Sequence, residues 1–326
     1  MLGRSGADVL SNRVMLAFVS IVVFGCVLAD LNADDVPTVT HDVVYGHKDG
    51  LAMTYDVINP AADVESNGAA VIFVISGGWK SRWFPAERFL DPTSERTAII
   101  RELLDDGYHI IVLRHGSSPK YDVLDAAQDV RDAIRHLHEN GQEMGIDPER
   151  IGVFGFSAGG HLSLILGMMG GEECPPWLKD LRKQRLENSD VKDQSVTYAV
   201  DAPVAAVVAW FAPCDLQTVA GPSLRFPALD IDPERAEEVS PALHVDTGDA
   251  PTMLFHGSRD IVCPVASSRF MHGALTSADV PTEIKIYEGE GHGFSGEPER
   301  ESAEMAKVWF DRWLLKTSST EQSKKN

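Results

Sequence analysis

One serine lies in a pattern typical of a catalytic nucleophile. Residues 155–159 read Gly-Phe-Ser-Ala-Gly, with Ser157 at the centre. An apolar run over residues 151–156 predicts a strand that ends at this serine, and residues 158–167 predict a helix that follows it. A G-x-S-x-G segment between a strand and a helix is typical of a sharp turn that exposes the serine hydroxyl above a sheet. Glycines suit both ends of this turn because it brings neighbouring backbone close together.

Nucleophilic catalysis by serine requires a histidine base and an acid that orients it. Asp260 follows the apolar run 252–255, and His292 lies in a glycine-rich segment after the run 282–287. Asp260 comes 103 residues after Ser157, and His292 comes 32 residues after Asp260. The order serine, acid, histidine is the one that accompanies this type of turn. We therefore predict that Ser157 is the nucleophile, His292 the general base and Asp260 the acid.

The other histidines are poorer candidates for the base. His161 lies one turn into the predicted helix after Ser157, and His256 lies at the end of a predicted strand, so neither is expected to reach the serine hydroxyl. His136 and His138 are two residues apart on a predicted helix and are expected to face solvent in different directions. No histidine or cysteine spacing matches a metal motif, so we predict no metal site.

Acyl transfer also requires two N–H donors for the oxyanion that forms in the transition state. Ala158 is expected to supply one, since it follows the nucleophile. The second is expected from residues 76–79, Ser-Gly-Gly-Trp, which follow an apolar run, and we predict Gly78 or Trp79. Trp79 and Trp83 are predicted to line the acyl or alcohol pocket. The alternatives are a plain glycine turn and tryptophans that pack beneath it.

The elements that must position these residues alternate along the chain. Residues 41–45 and 51–58 predict an opening β-hairpin across residues 46–50. Continuous apolar runs are typical of strands buried on both faces. Further strands are predicted over residues 69–75, 109–113, 151–156, 204–211, 252–255 and 282–287, and helices over residues 124–140, 162–169 and 304–315. Alternating strands and helices predict an α/β fold, with a mostly parallel sheet covered by helices on both faces.

Two segments interrupt this alternation. Residues 170–201 are charged and lack periodicity, which predicts solvated surface away from the site. Residues 212–251 follow a strand, so they are expected over the C-terminal edge of the sheet, where ligands bind in open α/β sheets. We predict that this second segment forms a small cap or substrate wall.

The N-terminus has the pattern of an export signal. Arg4 and Arg13 precede the largely apolar residues 14–29, and the chain turns acidic at Asp30. This pattern predicts a signal peptide cleaved before Asp30, and hence a secreted or periplasmic protein. An uncleaved anchor and lipidation at Cys26 are the alternatives.

These observations divide the chain into four parts. They are a signal peptide (residues 1–29), an N-terminal extension (30–40), a catalytic domain (41–316) and a disordered tail (317–326). Without the leader, three cysteines remain: Cys174, Cys214 and Cys263. Three are too few for a disulfide framework, and we expect them to be small buried apolar residues.

Composition excludes several classes of protein. The 326 residues include 29 Lys and Arg against 49 Asp and Glu, a formal net charge of −20. This balance argues against a nucleic-acid partner, which clustered cations would have to bind. The contents of 44% hydrophobic and 24% charged residues are ordinary for a globular protein and argue against a multi-span membrane protein. An acidic surface favours small neutral or sugar-linked substrates over anionic ones.

Taken together, the motifs resemble those of the α/β-hydrolase superfamily. The chain is most similar to bacterial carboxylesterases of the acetyl-esterase, feruloyl-esterase-like and hormone-sensitive-lipase-like groups. The resemblance runs from residue 41 to residue 315 and is carried by residues 76–79, 145–151, 155–161, 240–241, 256–264 and 291–294. It implies an eight-stranded sheet, no cofactor, and hydrolysis of short acyl esters, including acetyl or aryl esters on carbohydrates.

One loop departs from the family pattern. Ser76 and Trp79 stand where a His-Gly-Gly-Gly loop has its histidine and its third glycine. The Gly-Gly-x-Trp-like loop is also similar to that of arylformamidases, so formamide substrates stay open. A serine peptidase or amidase with the same three residues is a further alternative, and a binding protein on a hydrolase fold is another. The chain upstream is too short for the propeller domain of the prolyl-oligopeptidase group.

Overall fold

Strands and α-helices alternate through residues 36–94, 97–169 and 203–315, the part of the chain that this computed structural model describes. The strands are β1 (Thr38–Lys48), β2 (Leu51–Asn59), β3 (Ala70–Val74), β4 (His109–Leu113), β5 (Ile151–Phe156), β6 (Ala206–Trp210), β7 (Thr252–Gly257) and β8 (Thr282–Tyr287). The α-helices are α1 (Ala98–Asp105), α2 (Val123–Asn140), α3 (Ala158–Met168), α4 (Ala266–Ser277) and α5 (Glu297–Leu314).

All of these strands belong to one eight-stranded sheet in the order β1-β2-β4-β3-β5-β6-β7-β8. β1 pairs antiparallel with β2, and β2 pairs antiparallel with β4. The remaining neighbours are parallel, so the C-terminal ends of β3, β5, β7 and β8 lie at the same edge of the sheet. The predicted α/β fold with a mostly parallel sheet is confirmed.

The opening hairpin has longer strands and a shorter turn than predicted. β1 and β2 are joined by only Asp49 and Gly50, which both have positive φ, 50° and 78°. An Asp-Gly pair suits a two-residue turn of this conformation because both positions need positive φ. The pairing of β1 shifts register between Thr40 and Val43 and again between Val44 and Gly46, and these shifts are two bulges in an edge strand.

Helices cover both faces of the sheet. Side chains of α2, α3 and α4 pack in one buried cluster with Ala70, Ile72 and Val74 of β3. Side chains of α1 and α5 pack in a second cluster with Val71 and Phe73 of the same strand. Because successive side chains of a strand point to opposite faces, β3 is apolar at every position. All eleven residues of α3 are buried, as its apolar sequence predicts.

The helices were harder to predict than the strands. Each predicted strand is present, with bounds that differ by at most three residues. Neither α1 nor α4 is among the predicted elements, and α5 begins at Glu297 rather than at residue 304. Only Ser268, Met271 and Leu275 of α4 are buried, so this helix has no broad apolar stripe for a periodicity argument to find.

Residues 212–251 contain three short 3₁₀-helices, Pro227–Leu229, Pro233–Val239 and Pro241–Leu243. The segment buries Leu216, Leu229 and Val239 in the same cluster as α2, α3 and α4. It is therefore packed onto the helices that cover the sheet rather than forming a separate domain.

The expectation for His136 and His138 is wrong. His138 is buried, and its Nε2 donates to the carbonyl oxygen of Pro203 at 2.8 Å. His136 is half-buried, with its Nδ1 2.9 Å from the Tyr55 hydroxyl. On an isolated helix both side chains would face solvent. In the folded protein β2 lies beside His136 and the segment before β6 lies beside His138, so both imidazoles contact protein.

Several sequence expectations fall outside the described residues: the signal peptide (1–29) with Cys26, most of the N-terminal extension, Cys174, the segment 170–201 and the tail (317–326). The thiols of Cys214 and Cys263 are free and buried. None of the helices within the described ranges is both long enough and apolar enough to cross a membrane.

Candidate active site

Ser157 lies at a strained turn between β5 and α3. Its backbone has φ 54° and ψ −119°, in a region that residues with a side chain rarely adopt. Two glycines allow this turn: a Cβ on Gly155 would lie 2.3 Å from the carbonyl carbon of Gly159, and a Cβ on Gly159 would lie 2.5 Å from the carbonyl oxygen of Val74. The Ser157 N–H donates to the carbonyl oxygen of Trp210 at 2.9 Å, which ties the turn to β6.

Ser157, His292 and Asp260 are brought together from three separate loops. The Ser157 Oγ lies 2.8 Å from His292 Nε2, and His292 Nδ1 lies 2.6 Å from Asp260 Oδ2. An ionised carboxylate only accepts hydrogen bonds, so the proton of a neutral His292 is on Nδ1. Nε2 is then free to accept the hydroxyl proton of Ser157. This arrangement is that of a nucleophile, a base and an orienting acid.

Asp260 is buried yet remains ionised. Its Oδ1 accepts the N–H groups of Val262 at 2.8 Å and Cys263 at 2.9 Å, and its Oδ2 lies 3.3 Å from His256 Nε2. Burial raises the pKa of the carboxyl, but the hydrogen bonds from His256, His292 and the two backbone N–H groups outweigh burial and lower the pKa far below its ordinary value. A permanent negative charge thus faces His292, where it stabilises the protonated imidazole.

The ring of His292 is also packed from the side. Phe211, with φ 39°, directly follows β6 and places its ring 4.8 Å from the His292 ring, at 60° to it. Phe294 in turn packs edge-on against Phe211 at 5.5 Å. Sequence reasoning did not single out Phe211, because nothing in its neighbourhood indicates that β6 ends opposite the histidine loop.

The imidazoles of His161 and His256 bond to groups other than the Ser157 hydroxyl, in agreement with the sequence argument. The Nε2 of His161 donates to the carbonyl oxygen of Val239 at 2.7 Å, and its Nδ1 accepts the indole N–H of Trp79 at 3.2 Å. His256 is fully buried, with its Nε2 donating to the carbonyl oxygen of Cys263 at 2.8 Å. His256 therefore supports the acid of the site rather than acting as its base.

The loop after β3 approaches Ser157 from the opposite side. Backbone hydrogen bonds of 3.1 Å in both directions join Gly77 and Lys80 and close the turn between them. Gly78 and Trp79, inside this turn, have φ 58° and 55°. Both residues lie beside Ser157 at the wall of one cavity. The loop thus brings the two predicted donors, Gly78 and Trp79, to the same cavity as Ser157, which Ala158 directly follows.

A buried histidine supports this loop from behind. Ser76 Oγ lies 2.9 Å from His115 Nε2, and His115 Nδ1 donates to the carbonyl oxygen of Gly116 at 2.7 Å. Burial lowers the pKa of His115 to about 4, so the imidazole is neutral. Its Nε2 therefore accepts a hydrogen bond from the Ser76 hydroxyl. Ser76 thus anchors the loop through a partner that sequence reasoning missed, since His115 lies after another strand, 39 residues away.

Two cavities meet at Ser157. One has a volume of about 360 Å³ and mostly apolar walls, which include Leu216, Phe226 and Phe270. The other is an open groove of about 420 Å³, lined by residues that include Lys80, Arg225 and His292. Gly78, Ser157, Phe226 and Val262 border both. The predicted substrate wall in residues 212–251 contributes to both cavities.

The structure separates the two tryptophans that the sequence grouped together. Trp79 is buried and lines the apolar cavity. Trp83 is 60% exposed and lines neither of the two cavities at Ser157. The prediction of a substrate-binding role for Trp83 is therefore not supported, because its side chain faces solvent outside both cavities. Within the described ranges, no group of three or more His, Cys, Asp or Glu side chains has the arrangement of a metal site.

Comparisons with known proteins agree with this geometry. A family model described as BD-FAE matches residues 55–275, which is more than half of the chain. The chain is 27% identical to "Esterase LipC" of Mycobacterium tuberculosis over 265 residues, which cover 77% of this chain and 59% of that protein. The chain thus spans little more than half the length of this curated relative.

Solved structures share the fold. Thermogutta terrifontis esterase 2 superposes with a TM-score of 0.62 at 22% identity, over 86% of this chain and 97% of the other. A structure described as "Truncated form of carbohydrate esterase from gut microbiota" superposes with a TM-score of 0.61 at 24% identity, over 86% of this chain and 98% of the other. At these sequence identities the similarity shows a shared fold alone.

Proposed function

Because the chain belongs to the BD-FAE family and has the α/β-hydrolase fold, we propose that it hydrolyses carboxylic esters with Ser157 as the nucleophile. The observation that carries this proposal is the hydrogen-bonded chain from Ser157 to His292 at 2.8 Å and on to Asp260 at 2.6 Å. The name of LipC as an esterase supports the choice of esters.

The reaction proceeds through an acyl-enzyme. His292 Nε2 takes the proton of Ser157 Oγ as the oxygen attacks the ester carbonyl, and Asp260 stabilises the resulting imidazolium. Nε2 then gives this proton to the oxygen of the leaving alcohol. A water molecule, deprotonated by His292 in the same way, attacks the acyl-enzyme and releases the acid.

The oxyanion is held by backbone N–H groups that surround Ser157. Ala158 supplies one donor, and Gly78 or Trp79 supplies the second. The loop supports this role, because Gly78 and Trp79 both have positive φ and lie beside Ser157 within the turn that the Gly77–Lys80 pair closes. Removal of one such donor typically costs a factor of about 10² to 10³ in kcat.

The two cavities support an assignment of the two halves of the ester. His292 must protonate the leaving alcohol, and it borders the open groove but not the apolar cavity. The alcohol part therefore occupies the groove, and the acyl part occupies the apolar cavity beside Trp79 and Phe226. The proposed acyl groups are short chains, for which a cavity of about 360 Å³ has ample room.

The finer substrate class and the location are part of the same proposal. Acetyl or aryl esters on carbohydrates suit an open groove that can admit a bulky alcohol, and one of the similar structures is described as a carbohydrate esterase. The pattern of residues 1–29 supports export before the enzyme acts. A fusion of this segment to a reporter enzyme tests export directly.

Turnover of a 4-nitrophenyl ester series from acetate to octanoate tests the activity, with Ser157→Ala as the matched variant. A fluorophosphonate probe run in parallel reports the nucleophile. We expect labelling and turnover to be lost together in Ser157→Ala, and the best chain length to reflect the apolar cavity. Full turnover by Ser157→Ala contradicts the proposal.

The amidase and arylformamidase alternatives are separated by a second substrate pair. A 4-nitroanilide and a 4-nitrophenyl ester of the same acid present the same acyl group to the cavity. Ester hydrolysis that greatly exceeds anilide hydrolysis supports the esterase. The other outcome is that the probe labels Ser157 and the enzyme hydrolyses the anilide or a formanilide but not the ester. That result assigns the same three residues to amide chemistry.

A further inference from the structure

The open groove beside Ser157 has a charge that differs from that of the whole chain. Lys80 and Arg225 line it, and no aspartate or glutamate is found among the described residues that do. The apolar cavity on the other side of Ser157 has the reverse composition: the described residues in its walls include Asp215 but no lysine or arginine. The cations thus line the groove proposed for the alcohol part of the ester, and the carboxylate lines the cavity proposed for the acyl part.

Both cations of the groove are available to a ligand. Lys80 and Arg225 are exposed, and within the described part of the chain neither has a carboxylate partner. Other cations of this acidic protein do: Arg150 and Arg312 each lie 2.8 Å from a carboxylate oxygen. An unpaired cation that is exposed to water costs little free energy of folding. Its charge and its N–H donors remain available to another partner.

Contacts hold the backbone of Lys80 and the guanidinium of Arg225 beside the groove. Lys80 is held through its backbone, which pairs with Gly77 beside the oxyanion loop. The guanidinium of Arg225 lies over the ring of Phe226 at 5.1 Å, and Phe226 borders both cavities. The two charges therefore approach the groove from the loop after β3 and from the segment 212–251, on the side of Ser157 where the leaving alcohol lies.

We propose that the enzyme prefers esters whose alcohol part carries a carboxylate, and that Lys80 and Arg225 are the residues that determine this preference. The proposal rests on the proposed ester hydrolysis at Ser157. The carboxylate accepts N–H donors of the arginine and lysine while the ester carbonyl lies at Ser157. The net charge of −20 favours neutral substrates at a distance, but salt screens that field beyond about 8 Å, so the local cations dominate at contact.

Two acetate esters with similar alcohols test the preference. In 4-acetoxybenzoate the leaving phenol carries a carboxylate, and in 4-acetoxybenzamide the same position is neutral. The quantity to measure is the ratio of kcat/KM for the benzoate to that for the benzamide, in the full enzyme and in Lys80→Gln, Arg225→Gln and the double variant. A ratio taken within one variant is independent of how much of that protein is correctly folded.

We expect each single substitution to lower this ratio by about 3- to 5-fold, the strength of an exposed ion pair, and the double variant to lower it further. Sodium chloride at 0.5 M should reduce the ratio of the unaltered enzyme toward that of the double variant. Arg312→Gln makes the same change of net charge on α5, away from the groove, and should keep the ratio of the unaltered enzyme.

The placement of the charge gives a second comparison. Phenyl hydrogen adipate carries its carboxylate on the acyl side, where the cavity has Asp215 instead of cations. We expect the enzyme to hydrolyse it more slowly than phenyl hexanoate, and the double variant to leave that difference unchanged. Similar gains from a carboxylate on either side would contradict the groove proposal.

The outcomes separate this inference from the proposed function. Hydrolysis of both acetoxy esters with a ratio that the double variant does not change overturns the anion preference and leaves the esterase intact. An absence of hydrolysis of either ester, together with no fluorophosphonate labelling of Ser157, overturns the proposed function and the inference with it.

Discussion

The buried histidine of α3 predicts that the protein loses stability as the pH falls from about 6.5 to about 4. His161 is fully buried, and burial lowers its pKa from 6.5 to about 4. The carbonyl of Val239 keeps the proton on Nε2, so a second proton would have to enter at Nδ1, against the indole N–H of Trp79. The folded protein therefore resists protonation that the unfolded chain accepts.

The magnitude follows from the two pKa values. Between them the unfolded state binds one more proton than the folded state, so each step down in pH favours unfolding. The contribution is fully present above pH 6.5 and is lost as the pH approaches 4. A tenfold change in proton affinity corresponds to about 1.4 kcal/mol, so His161 contributes a loss of about 3 kcal/mol by pH 4. His115, with a pKa also near 4, adds a loss of the same sign.

The assay is the free energy of unfolding in urea, measured from pH 7 to pH 4. His161→Gln is the informative variant, because its amide can donate to Val239 and accept from Trp79 but does not titrate. We expect the variant to lose about 3 kcal/mol less than the unaltered protein over this range. His47→Gln, which removes an exposed imidazole, controls for the loss of a histidine as such. Parallel pH profiles for His161→Gln and the unaltered protein would refute the reasoning.

Three further predictions concern the acid, the turn and the thiols. Asp260→Asn should lower kcat for ester hydrolysis by about 10³- to 10⁴-fold with little change in KM, since an amide cannot stabilise the protonated histidine; a loss of less than 10-fold would contradict this role. Gly155→Ala should lower the unfolding temperature by calorimetry, because the added Cβ would meet backbone at 2.3 Å. At Gly273 on α4 an added Cβ meets nothing within 4 Å, so Gly273→Ala should instead stabilise by about 1 kcal/mol, and equal effects of the two changes would refute the steric argument. Cys214 and Cys263 should resist iodoacetamide at pH 8 in the native protein and react in urea, as measured by mass spectrometry, because burial raises both thiol pKa values, that of Cys263 to about 12. Rapid labelling without urea would show that these thiols are accessible.

The strands of the sheet could be predicted because a buried strand can be recognised from its own residues. A strand buried on both faces is a continuous apolar run, and β4, β5 and β8 were predicted with the bounds that the structure has. Helix α1 is only eight residues long, and α4 buries only three of its residues, so neither has a long apolar stripe. Their positions are determined by the faces of the sheet that remain to be covered, which is information about the whole fold.

The centre of the site could be predicted for a related reason. Ser157, Asp260 and His292 each follow a predicted strand, and parallel strands bring their C-terminal ends to one edge. The supporting residues His115, Phe211 and Val239 could not be identified, because their roles depend on contacts between segments that the sequence separates widely. The same limit applies to Lys80 and Arg225, whose charges meet only when residues 212–251 fold over the loop after β3.

The two bulges of β1 also bear on how the protein behaves at high concentration. β1 has eleven residues and lies at the edge of the sheet, where a straight strand would present a long row of unpaired N–H and C=O groups. The register shifts at residues 40–43 and 44–46 bend this row, and Asp42 adds a charge within it. A second molecule therefore cannot align a strand along the full edge. The irregular hairpin protects this edge of the sheet against intermolecular strand pairing and the aggregation that follows from it.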